Sequence, residues 1–326
     1  MNYRRLGKTS YQVSEIGIGT WQLGAKWGER FDHSKAVDIL QEAYQGGVNL
    51  IDTADIYQDG LSEKTVGEFL KTVKDKVYVV TKVGRKTNPH TASNYNRVNL
   101  TKYVDACLDN LQVSSLDLVL LHCPPGEIYK DPAVYETLDL LKQQGKIAHY
   151  GVSVETVEEA INASQFDISA VEIIFNMFRL KPRELFFDQA AEKDLGILAR
   201  VPLASGLLTG KFDNQTVFGE NDHRKFNRNG EAFDQGETFS GVDYENGILA
   251  MEALKAILGD ENLAQKALKF ILMHKEVSAV IPGASNAAQV TSNLSTLSMP
   301  DLRKEELDAV TNVYNSYLRK NIEQKW

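Results

Sequence analysis

Four side chains in the first 122 residues could together move a proton onto or off an oxygen: Asp52, Tyr57, Lys82 and His122. Each stands where an apolar run ends. "VNLIDTADIYQDGLSE" passes from a buried-strand pattern into Asp52 and then Tyr57, "VYVVTK" ends on Lys82, and "LDLVLLH" ends on His122. Singly, each has an ordinary explanation: the aspartate as a turn cap, the lysine as a solvated strand end, the histidine as a hydrogen-bonded core group. As a set they ask for more, because a buried charge is costly unless it is paired. A tyrosine, with a pKa of roughly 10, is a protonated donor at neutral pH, and a neighbouring ammonium favours its anion and makes it a stronger acid. Lys82 can supply that charge to Tyr57, Asp52 can hold Lys82 in place, and His122 can hydrogen-bond and orient a substrate oxygen.

Some scaffold has to bring these residues together. Short β-branched runs recur at 15–20, 48–52, 77–82, 116–122, 148–153, 170–176, 196–202 and 277–283. Most are almost continuously apolar, as parallel strands covered on both faces must be, and helical patterns follow them. Ala36, Val37, Ile39, Leu40, Ala43 and Tyr44 form one apolar stripe after the expected N-cap Asp32, and Gly46 with Gly47 stops that helix. Asp131 and Pro132 read as an N-cap with proline at the first helical position, Gly145 closes that helix, and Thr156 with Glu159 has capping-box spacing. Eight β-then-α units predict an α/β fold, a closed (β/α)8 barrel rather than an open doubly wound sheet, as a single domain over 1–326. Two alternating runs before residue 15 are expected to form a hairpin plugging the barrel's N-terminal end. The seventh unit departs from the pattern: 212–247 is polar, rich in Gly and Asn, and longer than an ordinary connection, which predicts a lid. In such a barrel the working groups sit at the C-terminal strand ends, where all four candidates stand.

Composition narrows the class of function. With 326 residues, 43% hydrophobic and 25% charged, the chain is long enough for a sizeable core. Its net charge of −8 disfavours nucleic acid and anionic membrane as partners. No apolar run reaches the roughly 18 residues of a membrane span, and the N-terminus lacks an apolar run of signal-peptide length, so a cytoplasmic protein is expected. Cys107 and Cys123 are too few for a disulfide framework, and His90, His122 and Cys123 make no credible ligand set, so no metal is expected. "GIGTWQLG" lacks the third glycine of a dinucleotide fingerprint, and "GKT" at 7–9 lacks the first glycine of a P-loop.

The motifs "GIGTW", "NLIDTADIY…GLSE", "VVTK", "DLVLLH", "GKIAHYGVS", "PLASGLLTGKF" and "VIPGA" resemble the aldo-keto reductase superfamily essentially end to end. The resemblance is greatest to the bacterial and plant oxidoreductases of the branch that includes potassium-channel β-subunits. It implies Asp52, Tyr57, Lys82 and His122 as a catalytic tetrad with Tyr57 as general acid. It further implies NADP(H) lying extended across the barrel's C-terminal face, with NAD(H) as a second candidate, and hydride transfer to a small aldehyde or ketone from which an alcohol forms.

The cofactor site implied by the same resemblance is less regular. Gly19, Thr20 and Trp21 belong to the first strand end and loop, with Trp21 at the substrate pocket. The family's "GVSN" appears as "GVSV", so Ser153 matches and Val154 replaces an amide. Glu172 stands where a glutamine usually holds the nicotinamide carboxamide, and Arg200 where an aromatic ring usually stacks; its flat guanidinium can stack instead. Pro202, Leu203, Ser205, Gly206, Leu207 and Lys211 lie in the intact "PLASGLLTGK", implied to wrap the pyrophosphate. In "IPGASNAAQVTSN", Gly283, Ser285, Asn286 and Gln289 fall where members that grip the 2′-phosphate of NADPH often carry cations, and Asn293 follows them. Arg224 in the lid is another source of positive charge. Two rival readings are a cofactor-binding regulatory or redox-sensing subunit with little turnover, suggested by the channel relatives, and a lyase using Lys82 as a Schiff-base former.

Overall fold

Apolar runs this short can bury both faces only by lying side by side under helices, and they do. The computed structural model describes residues 1–25 and 29–325, so Trp27 of the first loop lies outside the described residues. After an antiparallel hairpin of β1 (Tyr3–Arg5) and β2 (Gln12–Ser14) come eight parallel strands. They are β3 (Ile18–Gly19), β4 (Leu50–Asp52), β5 (Tyr78–Val83), β6 (Leu116–His122), β7 (Ile147–Ser153), β8 (Ala170–Ile174), β9 (Gly196–Arg200) and β10 (Val277–Val280), each paired with the next in chain order. Backbone bonds from Gly17 to Val280 (2.9 Å) and from Gly19 to Pro282 (3.1 Å) close the last strand onto the first. The result is the expected (β/α)8 barrel.

Side chains alternate along a strand, so every second residue points into the barrel. The inward rows are apolar below: Leu50, Val80, Leu118, Leu120, Ala170, Leu198, Ala279 and Ile281 form one interior cluster. Leu6 and Val13 of the hairpin join that cluster from beneath, as a plug must. The hairpin's turn comes so close to the strands that a Cβ on Gly7, at φ +49°, would lie 2.2 Å from the Gly196 nitrogen. One step further up, the same rows turn polar. Leu50 is followed by Asp52, Val80 by Lys82, Leu120 by His122, Gly151 by Ser153, Ala170 by Glu172 and Leu198 by Arg200. Six adjacent strands thus each deliver one polar side chain to the upper layer.

The outward residues pack under helices whose ends the sequence marks correctly. Asp32 accepts from the Lys35 N–H, Asp131 from that of Ala133, and Thr156 with Glu159 makes the reciprocal capping box. After β9 the chain does not enter a helix at once. It forms a 3₁₀ segment, Ala204–Thr209, then a long loop containing a short helix, His223–Phe226. The next long helix is Tyr244–Leu258, capped by Asp243 through the Asn246 N–H, so the loop ends a few residues earlier than the polar composition of 212–247 suggests.

The loop is folded onto the barrel mouth. Phe239 is fully buried, and Phe212, Phe218 and Tyr244 gather around it, with the Arg224 guanidinium 4.7 Å from the Phe218 ring centre and that of Arg228 4.9 Å from Tyr244. Such stacking gives a glycine-rich loop an apolar anchor.

Candidate active site

Lys82 is fully buried, and its ammonium donates to both Asp52 oxygens at 2.6 and 2.7 Å, to the Thr53 carbonyl at 3.1 Å and to the Tyr57 hydroxyl at 3.4 Å. The Tyr57 ring stands edge-on to the His122 imidazole, with centres 6.0 Å apart. Tyr57 sits just past β4 on a backbone that then takes left-handed dihedrals at Gln58 (φ 49°) and Asp59 (φ 55°). Such conformations are costly for residues with side chains and persist where surrounding contacts enforce them. Here Glu63, wholly buried, accepts from Thr81 at 2.5 Å and from Asn110 at 2.9 Å, and so moors the following helix. Of the acid groups in the opening stretch, Asp52 and Tyr57 meet Lys82, Glu63 anchors the backbone, and Asp59 pairs with Lys86 at the surface.

Electrostatics fixes the protonation states. Burial lowers the Lys82 pKa, but Asp52 and then Glu172 outweigh it, so the ammonium ends above the ordinary lysine value. Burial, and then Arg85, Lys82 and Arg200, hold His122 well below its ordinary value, which leaves a neutral imidazole at pH 7. Its Nδ1 is buried without a hydrogen-bond partner. For Tyr57 the expectation of an acidified phenol needs correction in the free protein. Burial raises its pKa and Lys82 pulls the other way, but Asp52, Glu172 and Glu237 add to burial, and the phenol ends above its usual value. It is a protonated donor throughout the neutral range.

Tyr57 and His122 line one end of a cavity of about 1400 Å³ that runs across the C-terminal face of the barrel. Sites for compact ligands are typically about 300–1,000 Å³, so this one has room for an extended cofactor and a small substrate. Its wall includes Gly19, Trp21, Asp52, Ser153, Glu172, Arg200, Pro202, Leu203, Ser205, Gly206, Lys211, Gly283, Ser285, Gln289 and Asn293. The side chains of two residues named with them point elsewhere. The buried Thr20 donates its hydroxyl to the Asp52 carbonyl at 2.9 Å, and Leu207 is buried beneath the helix Tyr244–Leu258, its side chain against Gly247.

A profile of the aldo/keto reductase family matches residues 15–315. The chain belongs to that family. Membership makes it an NAD(P)H-dependent oxidoreductase. It is 28% identical over 316 residues to the oxidoreductase YqkF of Bacillus subtilis, covering 95% of each chain. Its fold is similar to that of the glycerol dehydrogenase AKR11B4 of Gluconobacter oxydans, at 25% identity and a TM-score of 0.78, covering 97% of this chain and 96% of that one. It is also similar in fold to an aldo/keto reductase of Klebsiella pneumoniae solved with NADP and acetate, at 21% identity and a TM-score of 0.70, covering 96% and 95%. Among the described residues no helix is long and apolar enough to cross a membrane.

Beside the site lies a partly buried ionic girdle, of which sequence reading named Arg200 but missed Arg85 and Glu237. Glu237 of the lid accepts from Arg85 at 2.6 Å and lies 3.3 Å from Arg200. Burial raises the Glu237 pKa, but Arg85 and Arg200 outweigh it and hold the carboxylate below its ordinary value. Arg200 also donates to the Val154 carbonyl at 3.0 Å, and Arg85 reaches Glu155 at 3.8 Å. Cys123, Glu155 and Glu237 have ligand atoms within 4.8 Å of one another, yet both carboxylates already face guanidinium groups. Arg85 lies past the end of β5, beyond the alternation that turns Lys82 inward, and Glu237 lies in a loop with no periodicity at all. The strand-end basic residue in "TKVGR" was the one available signal.

The lid's second contact is pH-sensitive. His223, buried against the Trp21 ring at 4.8 Å, has both ring nitrogens without a hydrogen-bond partner. Burial above all lowers its pKa from 6.5 to about 4, with Arg224 adding to the effect and Asp222 and Glu237 opposing it. The unfolded chain therefore binds a proton below pH ~6.5 that the folded lid refuses, and stability falls as pH drops towards 4, by up to about 3 kcal/mol. Urea unfolding of His223→Phe beside the unaltered protein should show a smaller loss between pH 7 and 4.5 in the variant. Equal losses would mean that this imidazole is not the acid-labile contact.

Proposed function

We propose that the protein is an NADPH-dependent reductase of small aldehydes or ketones, with Tyr57 as general acid. The observation that carries this reading is the fully buried Lys82, which touches Asp52 and Tyr57 at once while Tyr57 and His122 face the cavity. The cavity's donor set suits a nicotinamide dinucleotide. At the tetrad end, the Glu172 carboxylate lines the wall with the Ser153 hydroxyl against its Oε1 at 3.4 Å, an acceptor and a donor side by side for a carboxamide. Midway, Lys211 flanks the tight turn at Ser205 (φ 53°) and Gly206 (φ 101°), where a Cβ on Gly206 would meet the Phe212 ring at 2.8 Å. Elsewhere in the wall Ser285, Asn286, Gln289 and Asn293 offer neutral polar groups to a nucleoside.

When bound, the reduced nicotinamide supplies the hydride. The chain's residues do the rest. Tyr57, kept neutral, gives its proton to the developing alkoxide, and the Lys82 ammonium receives the resulting phenolate at the contact it already makes. Neutral His122 orients the carbonyl oxygen without competing as an acid, and the lid, tied down by Glu237, excludes water. In the reverse direction the phenolate takes the alcohol proton, so oxidation gains as pH rises. Lys82 as a Schiff-base former fits poorly, since such a lysine must be neutral and this one is held charged by two carboxylates. Following NADPH absorbance across a panel of aldehydes and ketones tests the reading; no turnover with any of them would favour a regulatory cofactor-binding role.

Preference between the two nicotinamides should be modest. Gln289 Oε1 already accepts from both the Ser285 N–H (2.7 Å) and its hydroxyl (3.2 Å). Arg224, the cation nearest the turn at Gly206, is held by Asp222 through Nε (2.8 Å) and NH2 (2.5 Å). A 2′-phosphate therefore meets neutral donors, which hold it less tightly than a bidentate arginine. We expect NADPH to be favoured over NADH by less than roughly a thousandfold in kcat/KM, about 4 kcal/mol. Ser285→Arg or Gln289→Arg should widen the gap. A larger preference in the unaltered protein would mean that Arg224 exchanges Asp222 for the phosphate.

A further inference from the structure

Lys82 is met by two carboxylates where its chemistry needs one. Glu172 lies on β8, four strands round the barrel from the Asp52 strand, and is 2% exposed. Its Oε2 is 3.4 Å from Lys82 Nζ and has no hydrogen-bond partner, while its Oε1 accepts from the Ser153 hydroxyl at 3.4 Å. The three N–H groups of Lys82 are already directed at Asp52, the Thr53 carbonyl and Tyr57. Glu172 therefore stands in reserve at charge-contact distance. We propose that Glu172 is a second counter-ion of Lys82, a positioning residue that shares with Asp52 the task of keeping the ammonium charged beside Tyr57, so that either carboxylate alone suffices.

The surroundings support this assignment. Facing Lys82 are Asp52 from β4, Tyr57 from the loop after it, the neutral His122 from β6 and Glu172 from β8. Arg200 from β9 approaches Glu172 only to 4.0 Å, and its stronger partner is Glu237 of the lid, which Arg85 also holds. Glu172 thus has no closer cation than Lys82. Were Asp52 lost, the N–H it releases could turn to the unpartnered Oε2. A neutral amide at this position could accept a hydrogen bond but could not offset a buried charge. Burial above all, against the pull of Lys82 and with Asp52, Glu172 and Glu237 adding to it, keeps the Tyr57 phenol protonated, the form reduction uses.

The proposal rests on Lys82 being the charge beside Tyr57, and its test reads that charge directly. In protein carrying ¹³C-lysine, the Cε resonance of Lys82 is assigned by its disappearance in Lys82→Met and followed with pH in Asp52→Asn, in Glu172→Gln and in the double variant. Each single variant should keep a charged Lys82 at pH 8. The double variant should show a neutral amine there, since buried lysines without a counter-ion are documented to titrate at roughly 5–6. Turnover of the double variant should fall at least about tenfold below the product of the single effects, as for groups that back each other up. A neutral Lys82 in Asp52→Asn alone would overturn the proposal, as would single effects that simply multiply. If the double variant does not fold, Asp52→Asn alone decides. Undiminished turnover in Tyr57→Phe would overturn the catalytic reading and leave this titration intact.

Discussion

Tyr57→Phe should reduce carbonyl substrates 10²–10⁴-fold more slowly, or worse, while binding NADPH as the unaltered protein does. The substitution removes one oxygen. The ring that remains keeps its edge against His122, at 6.0 Å between centres, and its place over the Lys82 ammonium, 5.2 Å from the ring centre. The cavity's shape therefore survives, and the loss isolates proton donation, for which a factor of roughly 10²–10⁴ is typical. Neither neighbour can take over. His122 is held well below its ordinary pKa and carries no spare proton at pH 7, and Lys82 is sealed beneath Asp52. Reduction in the unaltered protein should show no Tyr57-dependent limb in the neutral range, because the phenol remains protonated there. Absorbance kinetics give the rate and quenching of protein fluorescence gives cofactor affinity. A variant that reduces carbonyls near the original rate would remove Tyr57 from the mechanism.

Three members of the candidate tetrad were legible because strand periodicity carries them, while Tyr57 stands beyond the strand in the turn that follows Asp52. Leu118, Leu120 and His122 occupy one inward row, as do Val80 with Lys82 and Leu50 with Asp52, so a buried apolar alternation ending in an ionisable residue marks a group raised to the barrel mouth. Ser153, Glu172 and Arg200 end rows of the same kind, though it was the family resemblance that pointed to them. It stops where the strands stop. Arg85 follows Gly84, whose φ of +102° breaks the row, and Glu237 is placed by the fit of its own carboxylate between two guanidinium groups contributed by β9 and the segment after β5. Nothing in the order of residues from 212 to 243 announces which acid will meet the two guanidinium groups. Two cofactor candidates turn their side chains away from the cavity. Thr20 and Leu207 lie in stretches that border the cavity, but each turns inward, to the Asp52 carbonyl and to the core respectively. The electrostatic balance was the least legible feature. Lys82 acting alone would acidify Tyr57; the sum of burial and three nearby carboxylates reverses that sign, and it can be taken only once all the charges have positions.

Lys82→Met should lose both stability and alcohol oxidation, and the two losses should depend on pH in ways that can be told apart. Methionine fills the space but leaves Asp52 and Glu172 buried, at 5% and 2% exposure, without the cation they share. Stripping one partner from a buried ion pair typically costs about 3–5 kcal/mol. The cost can be relieved if the carboxylates take up protons. Asp52 is already driven upward by burial and then by Glu172, with Lys82 pulling it down, so removing Lys82 raises it further. A carboxyl whose folded pKa exceeds its unfolded value of about 3.9 contributes stability at acid pH and loses it as pH rises through the folded value. The variant should therefore be much closer to the unaltered protein in urea at pH 5 than at pH 8. Oxidation should fail on separate grounds. With no ammonium to receive the phenolate, turnover of alcohols should drop at every pH below the phenol's own pKa, including pH 5, where the fold is least impaired. Equal destabilisation at the two pH values would mean that the carboxylates do not depend on Lys82. An unchanged oxidation profile in a stable variant would mean that Tyr57 ionises without its help.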